Sequence, residues 1–422
     1  MRALILNNTG FKTYKYHVLV YSEINFLKNY RTMIPYGKQN ITEADIEAVV
    51  EVLRSNYITQ GPVLPQFELA ISKYTGADDC VVVNSATSAL HIAMLSLDVG
   101  GGDIVWTSPI SFVATSNAVL YCGAKVDFVD ICPRTLNMDM DVLEEKLEVA
   151  EKNGVLPKVV VPVHMTGRSC DMKKLDALRR IYGFKVVEDA SHAIGAFYEG
   201  LPVGSCEYSD MCVFSFHPVK IITTGEGGAV TSNDKNIIEK LAELRSHGIT
   251  RDLKKMKGVD GPWYYQQQKL GFNYRMTEIQ AALGLSQITR LDKFVERRRE
   301  LAVRYEAKLK SSEFLCPVSD SEKFRSSWHL YVIQVPSDAN PLARRHLFEK
   351  LRSDGVGVNV HYIPIPRQPY YKNLGFNPSN YPVAEAYYKG AISIPLYFDM
   401  TDSQQDFVIN SLLEPIGYQT IF

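Results

Sequence analysis

The chain has 422 residues, of which 46% are hydrophobic and 22% charged, and its formal net charge is −1. That length exceeds one small module and suits a large α/β domain with a smaller companion, and the apolar fraction is enough to bury a sizeable core. Ordinary charge content excludes global disorder, and near-neutrality leaves no general electrostatic footprint for nucleic acid or an anionic membrane.

Residues 1–32 set Arg2, Lys12, Lys15, Lys28 and Arg31 against Glu23 alone, with no clear period. Asn7, Asn8, Lys12 and Lys15 interrupt any apolar run there, so a secretory core is not expected. The segment reads as an extension ahead of a working start at Met33; a targeting or membrane-surface arm is the alternative. No run anywhere approaches the roughly 18 apolar residues of a membrane span. From Met33 the chain alternates short β-branched runs with helical periods. Strands are expected at Cys80–Val83, Asp103–Thr107, Lys125–Val129, Lys158–Val163, Phe184–Val187 and Met211–Phe216. Helices are expected at Thr42–Leu53, Pro65–Tyr74, Thr87–Leu97 and Met172–Tyr182. Val and Ile on both faces of such strands, with helices between them, predict a mostly parallel sheet covered on both sides. Ligands of such sheets bind beyond the carboxyl ends of the strands.

A long helix is expected from about Thr277 to Lys310. Glu296, Glu300 and Glu306 interleave with Arg297-Arg298-Arg299, which predicts a solvated helix face rather than a nucleic-acid patch. Strands at His329–Val335 and Val356–Tyr362 then suggest a second α/β domain. The division expected is an extension 1–32, a large domain 33–285 and a small domain 286–422. The seven cysteines are scattered and form no Cys-x-x-Cys, so neither a zinc ribbon nor a disulfide framework is expected, and the reducing cytoplasm is the simplest location.

Three segments carry chemistry. In Phe184-Lys-Val-Val-Glu-Asp-Ala-Ser-His192, a strand ends in carboxylates that can point into the crevice, although an aspartate there is often only a turn or cap residue. In Met211-Cys-Val-Phe-Ser-Phe-His-Pro-Val-Lys-Ile-Ile-Thr-Thr-Gly-Glu-Gly-Gly228, Lys220 lies among apolar neighbours ahead of a glycine-rich turn. Desolvation there would lower its amine pKa and make it a nucleophile toward carbonyls; a plain surface lysine is the bland alternative. In Val81-Val-Val-Asn-Ser-Ala-Thr-Ser-Ala-Leu90, Ser85, Ala86 and Thr87 open a helix, where free amides can bind phosphate or Ser85 can act simply as a cap. A nucleophilic lysine, a buried carboxylate and a phosphate site together describe a pocket for pyridoxal 5′-phosphate (PLP).

The combination of Asn84-Ser-Ala-Thr-Ser-Ala-Leu90, Pro109-Ile-Ser-Phe-Val-Ala-Thr115, Glu188-Asp-Ala-Ser-His192, Phe214-Ser-Phe-His-Pro-Val-Lys220, Thr224-Gly-Glu-Gly-Gly228 and Gly271-Phe-Asn-Tyr-Arg-Met-Thr-Glu278 resembles the DegT/StrS nucleotide-sugar aminotransferases, over about Ile34 to Leu413. The resemblance implies the fold-type I PLP-dependent architecture. It implies Lys220 as the cofactor-linking lysine and proton shuttle, and Asp189 as the partner of the ring nitrogen. Ala86, Thr87 and Ser215 would hold the cofactor phosphate, Phe112 would stack on the ring, and His192 would lie beside it. Asn273 would reach the cofactor of a second subunit, which implies a homodimer. His217, the Ile222-to-Gly228 run and Val360-His-Tyr-Ile-Pro364 are similar to the branch that aminates C4 of UDP-linked 4-keto-6-deoxy sugars for pseudaminic acid, with glutamate as donor. Tyr36, Asn56, Tyr57, Ile58, Thr59, His361 and Tyr362 would contact the nucleotide sugar. Pro218 and Ile221 depart from that branch. The glutamate carboxylate has two candidate partners, Arg245 and Arg275. The alternatives are amination of another nucleotide keto sugar (at C3, or GDP- or dTDP-linked), a PLP-fold dehydratase or a sensor. A nicotinamide oxidoreductase is weaker still, since no Gly-x-Gly-x-x-Gly follows a strand.

Overall fold

A computed structural model describes residues 33–336 and 341–414; the reading of residues 1–32 lies outside them. Seven strands form the central sheet: β1 (Asp79–Val83), β2 (Ile104–Thr107), β3 (Lys125–Phe128), β4 (Val159–Val161), β5 (Lys185–Asp189), β6 (Met211–Ser215) and β7 (Gly228–Ser232). Their order is β1-β7-β6-β5-β4-β2-β3. The pairs from β6 across to β3 are parallel, whereas β7 runs antiparallel to both β6 and β1. The six expected strands and four expected helices are present, with ends within two residues of those expected. Strand β7 was not anticipated, because glycine begins it and it has no alternating pattern; all five of its residues are buried.

The helices are α1 (Glu43–Arg54), α2 (Val63–Thr75), α3 (Ala86–Ser96), α4 (Ala114–Tyr121), α5 (Met140–Lys152), α6 (Met172–Tyr182), α7 (Lys235–Arg245), α8 (Glu278–Ile288), α9 (Leu291–Leu309), α10 (Ala343–Ser353), α11 (Pro369–Asn373), α12 (Pro382–Gly390) and α13 (Asp402–Leu413). Alternation along β1 sends Val81 and Val83 into the cluster holding α3, α4 and α7, while Cys80 and Val82 join Phe67 and Ile71 of α2 on the opposite face. Helices α5 and α6 cover that second face farther along, through Leu143, Leu147, Leu175 and Leu178 against Trp106, Val160 and Val186. Burial on both faces explains why the strands read as continuous apolar runs.

The single helix expected over 277–310 is two. Arg290 leaves helical geometry at φ −111° and ψ 5°. Its guanidinium bonds Asn40 Oδ1 at 2.7 Å and the buried Asp45 Oδ2 at 2.5 Å. The arginine run also needs correcting at its centre. Arg297 and Arg299 pair with Glu300, Asp402, Glu296 and Asp320, as a solvated face should. Arg298, turned about 100° from each, is buried and donates to the carbonyls of Trp328, His329 and Leu396. Beyond α9, β8 (Tyr331–Gln334) pairs antiparallel with β9 (Ala391–Ile394). Residues 356–362 make isolated bridges at Val356 and Asn359 and are not the strand expected.

Candidate active site

A cavity of about 630 Å³ opens where the parallel strands end. The segments just past β1 (Ser85 to Thr87) and β2 (Ser111, Phe112, Ala114 and Thr115) contribute to its wall, with Asp189 at the end of β5 and Ser191 and His192 after it, and Ser215 at the end of β6 and His217, Val219 and Lys220 after it. Antiparallel β7 starts on the same side, so Glu226 lies there too. Tyr36 and Asn359–Tyr362 close it from outside the sheet.

Lys220 sits in a turn whose amide bonds His217 O at 2.9 Å. Burial lowers its amine from 10.5 to about 8, opposed by the charge of Asp189. Asp189, the last residue of β5, accepts Thr115 Oγ1–H on Oδ2 at 2.6 Å and the Ser191 amide on Oδ1 at 3.1 Å. Its neighbour Glu188 projects to the other face. There it meets His164 Nε2 at 2.6 Å and Ser209 Oγ at 2.5 Å. His164 Nδ1 accepts the Cys170 amide at 3.1 Å, so that nitrogen carries no proton and the ring donates to Glu188 through Nε2. The His164 amide in turn holds Asp189 O at 3.0 Å, pinning the strand end from behind.

Ser85 caps α3 by accepting the Ser88 amide at 3.1 Å. The first helical amides, Ala86 and Thr87, have no intrahelical acceptor and face the cavity with the helix's positive end. Gly228 belongs to this construction: a Cβ there would lie 2.6 Å from Ala86 N, so only glycine lets β7 lie against the helix start. Phe112 lines the cavity yet is 59% exposed, leaving its ring available to a planar ligand.

On the far wall, His192 Nε2 meets Tyr362 Oη at 3.0 Å, and His361 Nδ1 meets Ser393 Oγ at 2.7 Å. The His192 ring lies 4.4 Å from that of His329, a contact the sequence did not suggest. Burial, with the Lys220 charge nearby, holds His192 and His329 far below the usual histidine range and His361 at about 4. All three imidazoles are therefore neutral at physiological pH. Burial raises the Tyr36 phenol, with Asn359 opposing.

Ten of the expected residues thus share one cavity: Tyr36, Ala86, Thr87, Phe112, Asp189, His192, Ser215, Lys220, His361 and Tyr362. Asn56, Tyr57, Ile58 and Thr59 do not join it. They are exposed and run past the start of α8, where Ile58 O accepts the Glu278 amide. Asn273 is likewise exposed, bridging to Ser246. Neither candidate arginine lines the cavity. Arg245 is committed to Glu68 Oε1 at 2.5 Å and Val82 O at 2.7 Å, and Arg275 pairs its main chain with Val83. Ile221 is buried in the core among Phe214 and Phe216 and does not shape the cavity; Val219 does. Thr115 and Ser191 are the functional neighbours that sequence reasoning left without a role. Thr115 stood in a recognised motif, but its partner is 74 residues away.

The donor set fits pyridoxal phosphate. An amine of lowered pKa and an ionisable carboxylate share the cavity with a helix start whose amides lack acceptors, an exposed aromatic ring, and a buried His192 Nδ1 without a hydrogen-bond partner. That combination describes a site for vitamin B6 chemistry. The DegT/DnrJ/EryC1/StrS aminotransferase family matches residues 39–413, and the chain belongs to that family. A Campylobacter jejuni subsp. jejuni (serotype O:23/36) relative named UDP-4-amino-4,6-dideoxy-N-acetyl-beta-L-altrosamine transaminase is 38% identical over 381 residues, covering 90% of this chain and 96% of the relative. Helicobacter pylori PseC, an aminotransferase involved in the biosynthesis of pseudoaminic acid, superposes with a TM-score of 0.82 at 32% identity over 90% of this chain and 98% of that one. Spr1654 from Streptococcus pneumoniae, provisionally described as a sugar aminotransferase and solved in a PLP form, gives 0.81 at 33% identity over 90% and 97%. The protein is a PLP-dependent sugar aminotransferase of fold-type I architecture. Among the described residues no helix is long and apolar enough to cross a membrane.

Proposed function

We propose that the enzyme moves an amino group from glutamate to C4 of a UDP-linked 4-keto-6-deoxy N-acetyl hexose, in the cytoplasm, on a route to a pseudaminic-acid-type surface sugar. The observation that carries the chemistry is the placement of Lys220 and Asp189 in one cavity beside the amides of Ala86 and Thr87. Lys220 would hold the cofactor's aldehyde carbon, Asp189 its ring nitrogen, and Ala86, Thr87 and Ser215 its phosphate. Phe112 would cover one ring face and His192 would lie beside it. The bound cofactor supplies an electron sink for the carbon that loses its proton. Lys220 Nζ, with its pKa near 8, can take that proton and return it, serving as both base and acid. Asp189, with a donor on each oxygen, presents a carboxylate of fixed orientation at the cavity wall. The neutral imidazole His361 and the Tyr36 and Tyr362 phenols offer donors and acceptors without charge, which suits sugar hydroxyls. The names of the Campylobacter and Helicobacter relatives support the sugar assignment.

The test is incubation with glutamate and a panel of UDP-, dTDP- and GDP-linked 4-keto-6-deoxy sugars, with NMR of the product. A 4-amino UDP-N-acetyl sugar is expected; preferential amination at C3 or of another nucleotide's sugar contradicts the assignment.

The site is proposed to be completed by a second copy of the chain. Phe112, Tyr57, Ile58 and Leu270 are all more than half exposed, and Asn273 lies outside its own cavity. Inactive Lys220→Ala and Asn273→Asp chains, dissociated and reassembled together, should regain activity above the sum of the separate samples. The mixed dimer then holds one intact site. No regain means each chain completes its own.

A further inference from the structure

We infer that Thr115, backed by Ser111, is a positioning residue that aims the carboxylate of Asp189 through a hydrogen bond, so that the tuning of the cofactor ring is set by a hydroxyl relay rather than by Asp189 alone. This rests on the reading that Asp189 holds the ring nitrogen.

The geometry fixes the direction of the relay. Thr115 has one hydroxyl proton and two acceptors, Asp189 Oδ2 at 2.6 Å and Phe112 O at 3.2 Å. The shorter contact is to a carboxylate, and a charged acceptor takes the proton. The Thr115 oxygen then accepts from Ser111 Oγ, 2.7 Å away. Ser111, Thr115 and Asp189 are 4%, 2% and 4% exposed, so the chain is largely shielded from bulk water. Hydrogen bonds in series polarise one another, and in a low dielectric each is stronger than in water. The other carboxylate oxygen is held by the Ser191 amide at 3.1 Å. One donor on each oxygen fixes the plane of the group and leaves lone pairs for a ligand. The relay comes from the loop after β2 and the first turn of α4, whereas Asp189 ends β5. Two elements therefore meet at a single carboxylate. A merely structural reading of Thr115, as the residue closing the turn on Phe112, leaves its contacts with Asp189 and Ser111, both shorter than that to Phe112 O, unexplained.

The test uses the full-length apoprotein, with Thr115→Val to remove the hydroxyl at constant shape, Thr115→Ser to restore it, Ser111→Ala, Asp189→Asn, and Thr115→Val combined with Asp189→Asn. Three readouts are taken: the dissociation constant for pyridoxal phosphate, the pH midpoint of the bound cofactor's visible band, and kcat against KM. Thr115→Val should weaken cofactor binding by about tenfold, in keeping with one charge-assisted hydrogen bond. It should also move the midpoint in the same direction as Asp189→Asn by a smaller amount, and lower kcat more than it raises KM. Thr115→Ser should recover most of each effect, Ser111→Ala should show a weaker version, and Thr115→Val should add little in the Asp189→Asn background. A Thr115→Val protein with wild-type affinity and midpoint, beside an Asp189→Asn protein altered in both, overturns the relay. If Asp189→Asn is also unaltered, the role of Asp189 itself fails. Should Thr115→Val not fold, Ser111→Ala carries the decision: an unchanged midpoint there counts against the relay.

Discussion

Lys220→Ala is expected to abolish transamination, lowering turnover by at least about 10⁴-fold, since it removes both the covalent anchor and the group that moves the proton. Chain folding should survive, because the loss is one side chain at a cavity wall. Steady-state turnover and far-UV circular dichroism check the two halves of this statement; a folded variant retaining a tenth of wild-type activity contradicts it. The same amine has a pH signature in the unmodified protein. Burial lowers its pKa to about 8, so its neutral, nucleophilic form grows as pH rises through 8 rather than through the usual 10.5. The rate at which apoprotein captures pyridoxal phosphate should therefore rise with a midpoint near pH 8. The same shift acts on apoprotein stability. The folded state binds fewer protons than the unfolded chain between about 8 and 10.5, so the cost of the buried cation is full below 8 and disappears above 10.5.

Asp189→Asn is the second large effect. It keeps size and one of the two hydrogen bonds, because the amide oxygen can still accept Thr115 Oγ1–H while the NH2 cannot accept the Ser191 amide, and it removes the negative charge. The loss in kcat should be about 10²–10³-fold, the scale of losing a preorganised electrostatic contact. The cofactor should still attach at Lys220, since the amine is untouched. Single-turnover kinetics with glutamate separate this from a binding defect: the proton-transfer phase should slow while borohydride-trappable cofactor remains stoichiometric. An unslowed proton-transfer phase would assign the electronic role elsewhere.

These effects trace to residues whose chemistry is encoded locally. Lys220 stands out because apolar neighbours surround it, Asp189 because it ends a β-branched run, and Ser85 because it precedes a helical period. Each signal lies within about ten residues, and the fold places all three at strand ends on one side of the sheet. The parts that were not legible depend on distant partners. Thr115 acquires meaning from a carboxylate 74 residues later. Arg298 looks like its two neighbours until the carbonyls of Trp328, His329 and Leu396 meet it. His329 acquires its place only because the segment leading into β8 lays its ring 4.4 Å from that of His192, 137 positions earlier in the chain. Strand β7 was hidden by Gly225, Gly227 and Gly228, which read as a turn. That turn exists, yet the strand after it is fully buried and closes the gap between β1 and β6. Asn56–Thr59 and Asn273 show a different limit. Their expected roles came from family resemblance, and a single chain leaves them exposed.

The most direct test of the account is where the cofactor is attached. Holoprotein reduced with borohydride, digested and mapped by mass spectrometry should carry one pyridoxyl group per chain, on the peptide containing Lys220. Modification at another lysine, or an unmodified Lys220 peptide from cofactor-saturated protein, would contradict it.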